Sequence, residues 1–308
     1  MKQGRSVIGS SGTGSSGTGT GSRIGSSGMM NWVITTVIVG VVILSGLDTN
    51  FSPSEFSDPK NIKAITRFTG GLWPPETSPA FLANVFKLLI ETVEISILAT
   101  VLAILLALPL SLLAMRPRGE EYSRQVSGTT SWSIRWSLYY LARGILGILR
   151  GVPELMWALI FVVAVGLGPF PGVLALTAHG TGILGKLYAE MFESIDQRLV
   201  EMARVGGMDE LKLFVFTRIP VTLPVFLSYT VFRWECNMRS ATLLGFVGAG
   251  GIGTQLMISM KLFMYQEVST LILTIFILVI LVEVLGQYLR TRILDQSDRG
   301  KCRAPMVG

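Results

Sequence analysis

Half of the 308 residues are hydrophobic, only 15% are charged, and the mean hydropathy is +0.55, which excludes a soluble domain and implies an integral membrane protein. A formal charge of +6 does not imply nucleic acid, because Lys and Arg are scattered at the ends of hydrophobic segments rather than gathered in a patch with interleaved aromatics. Cys236 and Cys302 lie far apart in unlike contexts, which argues against a structural disulfide.

Residues 1–28 repeat Gly, Ser and Thr around Arg5 and Arg23, a composition that cannot bury apolar surface and predicts a disordered tail. The apolar run 32–47 ends without an A-x-A-like cleavage site, so it reads as an anchoring first helix rather than a removed signal peptide. Residues 48–79 are polar and carry Pro53, Pro59 and Trp73-Pro74-Pro75, an extramembrane connection with room for one helix lying on the surface. A second helix over 81–115 is longer than the hydrocarbon core requires, so its end near Lys87 protrudes or tilts.

A third helix is predicted over 136–165, ended by Gly166-Leu167-Gly168-Pro169, and a fourth over 172–192. The fifth and sixth follow over 211–240 and 268–289. These segments reach or approach the apolar length of a membrane span without sustained alternation, so the fold class is all-α, a polytopic membrane protein with about six transmembrane helices rather than a β-barrel. The expected organisation is a tail over 1–28, a first helix and extracytoplasmic connection over 29–72, a transmembrane domain over 73–294, and a tail over 295–308. Basic residues concentrate before the first helix, over 116–143, over 186–218 and after Leu289, so both termini and the polar segment 195–220 are expected in the cytoplasm.

That polar segment is the least membrane-like part of the transmembrane domain. Glu201 to Arg204 can form a helical turn, Gly206-Gly207 can supply the backbone angles of a sharp stop, and Met208 and Asp209 begin the next element. Small Ala203 permits a close approach, and the whole makes a knob able to pass rigid-body movement to its flanking helices. The bland alternative is a solvated loop between helices.

Three further constellations stand out. Arg150 and Glu154 are four residues apart, as are Glu235 and Arg239, so each pair can neutralise itself along a helix. Equally, Arg150, Arg233 and Arg239 can surround a pathway for an anion, guanidinium being suited to oxyanions. Gly248-Ala249-Gly250-Gly251-Ile252-Gly253 matches G-x-G-x-x-G, but it sits between two membrane helices on the side expected to be away from nucleotides; Gly248, Gly250, Gly251 and Gly253 therefore read as a packing or gate element. His179, the only histidine, reads as a packed and hydrogen-bonded side chain; Glu91 and Glu94 are candidates for a pathway, but a helix-end or interhelical hydrogen bond is the expectation for them. There is no metal-ligand spacing, no catalytic set and no G-x-x-x-x-G-K-[ST].

Glu201, Ala203, Gly207, Ile219 and Pro220 stand at the spacing of the EAA loop, by which permease subunits of bacterial ABC importers engage separate ATPase subunits. Met202 departs from it where a second alanine is usual. Leu149-Arg150-Gly151-Val152-Pro153-Glu154, Gly166-Leu167-Gly168-Pro169-Phe170, Gly182-Ile183-Leu184-Gly185-Lys186-Leu187 and the 244–253 segment resemble the phosphonate ABC transporter permease family over about residues 73 to 290. The resemblance implies a type I ABC importer permease fold and a homodimeric permease in the bacterial inner membrane. It also implies two cytoplasmic ATPase subunits that carry ATP and Mg, so that this chain binds no cofactor and is no enzyme. An extracytoplasmic binding protein would deliver phosphonate or a related phosphorus oxyanion. The alternative, an ion-coupled secondary transporter or channel built on His179 and buried glutamates, lacks the inverted repeat of paired broken helices such a protein would carry.

Overall fold

Every regular element among the described residues is helical, as a backbone that must satisfy its own polar groups in lipid requires. The computed structural model describes residues 25–49, 58–116 and 129–302, and the tail expected over 1–28 lies, as far as residue 24, outside the described residues. The chain falls into two units, one ending at Thr66 and the other beginning at Arg67.

The first unit holds α1 (Gly25–Asp48), an apolar helix over most of its length, and most of α2 (Pro59–Gly71). In α2, Ile62, Ile65 and Phe68 recur at helical spacing and stay exposed. The second unit contains α3 (Pro79–Leu113), α4 (Thr129–Gly151), α5 (Glu154–Val165), α6 (Pro169–Glu193), α7 (Gln197–Val205), α8 (Glu210–Leu213), α9 (Ile219–Leu244), α10 (Ile252–Lys261) and α11 (Tyr265–Cys302). A π-helical turn (Phe214–Arg218) joins α8 to α9, where Pro220 has no N–H to give the carbonyl of Phe216 and Ile219 bonds back to Phe214 instead. We call the end where α3 begins the upper end, and the end carrying α7 the lower.

Among the described residues, four segments are long and apolar enough to cross a membrane: Met30–Asp48, Pro79–Leu113, Phe214–Val247 and Tyr265–Ile293. Two departures from the expected helices concern the middle of the chain. The span expected over 136–165 is broken at Gly151-Val152-Pro153, and its halves meet at 90°, the geometry of a broken span or a re-entrant loop. Proline cannot continue the hydrogen-bond ladder of α4, so α5 restarts after it.

The second departure is α6. It forms where a helix was expected but is too polar to qualify by hydropathy, because protein rather than lipid surrounds it. It packs on α3, α4, α5 and α9, and small residues make the approach feasible. A Cβ at Gly180 would lie 3.1 Å from that of Ala103, one at Gly172 2.6 Å from the carbonyl oxygen of Ala249, and one at Gly185 2.5 Å from Leu146. Ala99, Ala103 and Ala107 of α3 are fully buried along the facing stripe. The helix expected over 268–289 also extends further, to Cys302.

Candidate functional site

The lower end carries a compact projection. Asp196 begins α7 by accepting the N–H of Arg198 on its carboxylate at 2.9 Å, and Ile195, Val200 and Leu213 bury a small core on which Ala203 leans. The helix stops at Gly206, whose N–H donates to Met202 at 3.0 Å; Gly207 then takes φ +76°, and the N–H of Met208 returns to the carbonyl of Ala203 at 3.2 Å. Ala203 therefore faces its own subunit, while Glu201, Met202, Met208 and Asp209 point outward and Val205 is 90% exposed. Pro220 lies in the first turn of α9, behind the π-helical turn.

The projection is rooted in the bundle by Glu193, the last residue of α6. One carboxylate oxygen accepts both the backbone N–H of Arg116 and Nη2 of Arg143, each at 2.8 Å, while Nε of Arg143 donates to the carbonyl of Ala114 at 3.1 Å. Three helices thus meet at the carboxylate from which the chain leaves for α7. Tyr188 stacks on Phe226 at 3.8 Å and its hydroxyl is 2.8 Å from Thr230 Oγ1, tying α6 to α9 above the same point.

Deeper in the bundle, the break between α4 and α5 organises a polar cluster. Trp157 Nε1 donates to the carbonyl of Leu149 at 3.2 Å, and His179 Nδ1 lies 3.1 Å from that of Val152. A carbonyl oxygen only accepts, so Nδ1 carries the proton and Nε2 faces Glu154 Oε2, 3.7 Å away. Arg233 Nη2 approaches the same oxygen at 3.8 Å, and the hydroxyl of Ser240 donates to Oε1. Arg233 is 8% exposed, and its Nε and Nη2 make no hydrogen bond among the described residues.

The intrahelical pairing that the spacing of Arg150–Glu154 and Glu235–Arg239 allows, one of the two readings of these charges, is not what the carboxylates adopt. The backbone turns between Arg150 and Glu154, Arg150 is exposed, and Glu154 reaches α6 and α9 instead. Buried Glu235 pairs with Arg290 of α11 at 3.1 Å, admitted by Gly286, while Arg239 stays exposed on an α9 stripe shared with Phe232 and Leu243. His179 is packed and hydrogen-bonded, as its surroundings in the sequence suggested.

At the upper end, α9 stops short and a 3₁₀ turn (Gly245–Val247) leads into the glycine segment. Gly251, at φ +73°, precedes α10 and brings two N–H groups to α3: its own donates to Glu91 Oε1 at 3.0 Å, and that of Ile252 donates to Thr92 Oγ1 at 2.9 Å. A Cβ at Gly250 would press on Pro169, and one at Gly253 would collide with the carbonyl oxygen of Thr242. Gly248 accepts the N–H of Gly168 at 3.0 Å. The segment joins two helices and its helix N-terminus already faces a carboxylate, which removes the strand and the open phosphate site of a dinucleotide fold. Sequence reasoning missed α10, Ser240, Arg290 and the Glu193 junction; Glu91 was expected to make an interhelical or helix-end bond, and makes both.

Comparison with known proteins shows what the whole chain is similar to. Residues 127–295 match the family described as binding-protein-dependent transport system inner membrane component. The chain is 36% identical over 229 residues to the phosphite transport system permease protein PtxC of Stutzerimonas stutzeri, covering 74% of this chain and 78% of that one. It is 31% identical over 262 residues to the phosphate-import permease protein PhnE of Mycolicibacterium smegmatis, covering 85% of this chain and 46% of the relative. Among solved structures, an inward-facing form of the MetNI methionine ABC transporter shares the fold with a TM-score of 0.58 at 18% identity, covering 70% of this chain and 99% of the other.

Proposed function

This chain belongs to the family of inner membrane components of binding-protein-dependent transport systems, as a permease subunit of an ABC importer, and from that premise we propose that its cargo is a tetrahedral phosphorus oxyanion such as phosphite, phosphate or phosphonate. The lower end is cytoplasmic, in accord with its basic residues, and the basic residues that flank the first and last apolar segments favour a cytoplasmic location for both termini. Two copies of the chain form the pathway, two separate ATPase subunits hold ATP and Mg, and a binding protein delivers the anion at the upper end.

The observation that carries this reading is the lower projection. Met202 and Val205 are apolar side chains set in water on a helix too short to be stable alone, yet the helix is fixed to the bundle by its own small core and by Glu193. A groove on an ATPase subunit would cover them, and movement of that subunit would reach α3, α4 and α6 through one carboxylate. Glu201, Ala203, Gly206, Gly207, Met208, Asp209 and Pro220 build and aim this projection.

The oxyanion pathway runs beside the broken helix. Arg233 keeps guanidinium N–H groups without hydrogen bonds, and Glu154 balances its charge from 3.8 Å, a distance that leaves the pair loose enough to exchange partners. Arg239 supports a second copy at this face, since a charged side chain on an otherwise apolar stripe of a membrane helix belongs against protein or water. Arg150 lies at the end of α4 next to the same break. Glu235 steadies α9 against α11, and Gly248, Gly250, Gly251 and Gly253 form the gate above.

The test is reconstitution of the full-length chain with its ATPase and binding protein in proteoliposomes. Radiolabelled phosphite should accumulate only with ATP, and Val205→Glu should retain ATP hydrolysis while cutting uptake by roughly tenfold or more, as expected for loss of an apolar anchor in a docking groove. Unchanged coupled uptake in Val205→Glu would count against the docking role.

A further inference from the structure

The glycine segment is held from one direction by a device that the importer reading leaves unassigned. Gly251 precedes α10 and has no side chain to cap it, so the first N–H groups of that helix would be left without partners in an apolar setting. Glu91 and Thr92, neighbours on α3, supply the two acceptors. Thr92 is fully buried and donates its own hydroxyl proton to the carbonyl of Leu88 at 2.8 Å, which leaves a lone pair directed at Ile252. Glu91 adds a carboxylate at the positive end of the helix.

The fit is close on the other side as well. A Cβ at Gly251 would lie 2.7 Å from Thr92 Oγ1, and one at Gly250 2.9 Å from Glu91 Oε1. Glycine is therefore what allows α3 to take hold of the segment. The same α3 ends below at Leu113, and Ala114 and Arg116 just beyond it are both bonded to the Arg143–Glu193 junction from which α7 departs. One helix thus joins the root of the lower projection to the turn above. Half-buried Val247 leans on the core formed by α3, α5, α6 and α9, so movement of the turn would expose it further.

We infer that Glu91 and Thr92 are positioning residues that latch the glycine segment to α3 in the closed arrangement of the upper gate, and that the latch lets go when α3 and α10 part. The inference rests on the importer reading for the meaning of the gate. The latch itself is tested without cargo or ATP.

A single cysteine at position 247 is introduced into full-length protein that carries Cys236→Ala and Cys302→Ser, and its reaction with a membrane-impermeant maleimide is timed in proteoliposomes. Glu91→Ala and Thr92→Val should each raise the rate about tenfold, the shift in open population expected when a buried hydrogen bond to a helix end is lost. Glu91→Gln and Thr92→Ser keep the acceptor oxygens and should restore the rate of the unaltered latch. If Glu91→Ala does not accumulate, Glu91→Asp withdraws the carboxylate by one methylene and should give the same increase. A residue that merely supports the fold would lower thermal stability without this pattern of rescue. Unchanged labelling in both disruptive variants, or equal acceleration in the conservative ones, would overturn the latch. Absence of ATP-driven phosphite uptake by the unaltered protein would count against the phosphorus-oxyanion cargo instead, and leaves the labelling result standing.

Discussion

The two ends of the second unit each carry a glycine-bearing turn joined to the bundle by a glutamate, and they are built for opposite purposes. At the upper end Gly250, Gly251 and Gly253 are pressed by Pro169, Glu91, Thr92 and the carbonyl of Thr242, so the absence of a side chain is a packing requirement. At the lower end a Cβ on Gly207 would meet nothing within 4 Å, and glycine serves only the backbone angle. Glu91 closes a helix end inside the protein, whereas Glu193 gathers three chain segments next to an exposed projection. A turn with no space around it can report movement of its neighbours, and a turn with open space can accept a partner.

That contrast breaks most visibly at Gly253. A methyl group there must displace the backbone carbonyl of Thr242, which no rotamer change relieves, so Gly253→Ala should cost about 3 kcal/mol. Thermal unfolding in detergent should show a midpoint lower by roughly 6–12 °C for a domain of this size; an unchanged midpoint would mean that the upper turn is not packed as described. The next effect belongs to the lower end. Glu193→Ala removes the acceptor shared by Arg143 and the Arg116 amide, both partly open to solvent, and should cost about 2 kcal/mol. Arg143→Ala should bring little additional loss in that background, since the two residues act through one junction.

These positions differ in how far the amino-acid sequence reveals them. The lower projection was legible because charge interrupts greasy sequence there and because its contacts are local: Asp196 bonds Arg198, and Met208 bonds Ala203. Most spans were legible from apolar length alone. The paired charges were not, because Arg150 and Glu154 at helical spacing form a pair only if the helix continues, and Pro153 ends it. Glu154 then finds Ser240 across 86 positions, and Glu91 finds Gly251 across 160, separations that no local pattern encodes. α6 was recognised as a helix, but its glycines and threonines conceal that it is the centre of the bundle, since small polar residues mark close packing only once the neighbours are known.

Gly207 gives the finest test of the comparison, because there the space and the backbone make different demands. With nothing near its missing side chain, Gly207→Ala should fold, and only the left-handed backbone at φ +76° penalises it, by about 1 kcal/mol. Gly207→Asn adds a larger side chain but tolerates that backbone, so it should recover most of the thermal midpoint lost by alanine. A purely steric requirement would rank the two variants the other way, with asparagine worse than alanine. Uptake should follow the backbone ranking too, since Gly207 sets the direction in which Met208 leaves the turn and closes on Ala203. If asparagine folds as stably as glycine yet blocks coupled uptake, the space around Gly207 is occupied in the assembled transporter, and the lower turn resembles the upper one once its partner is in place.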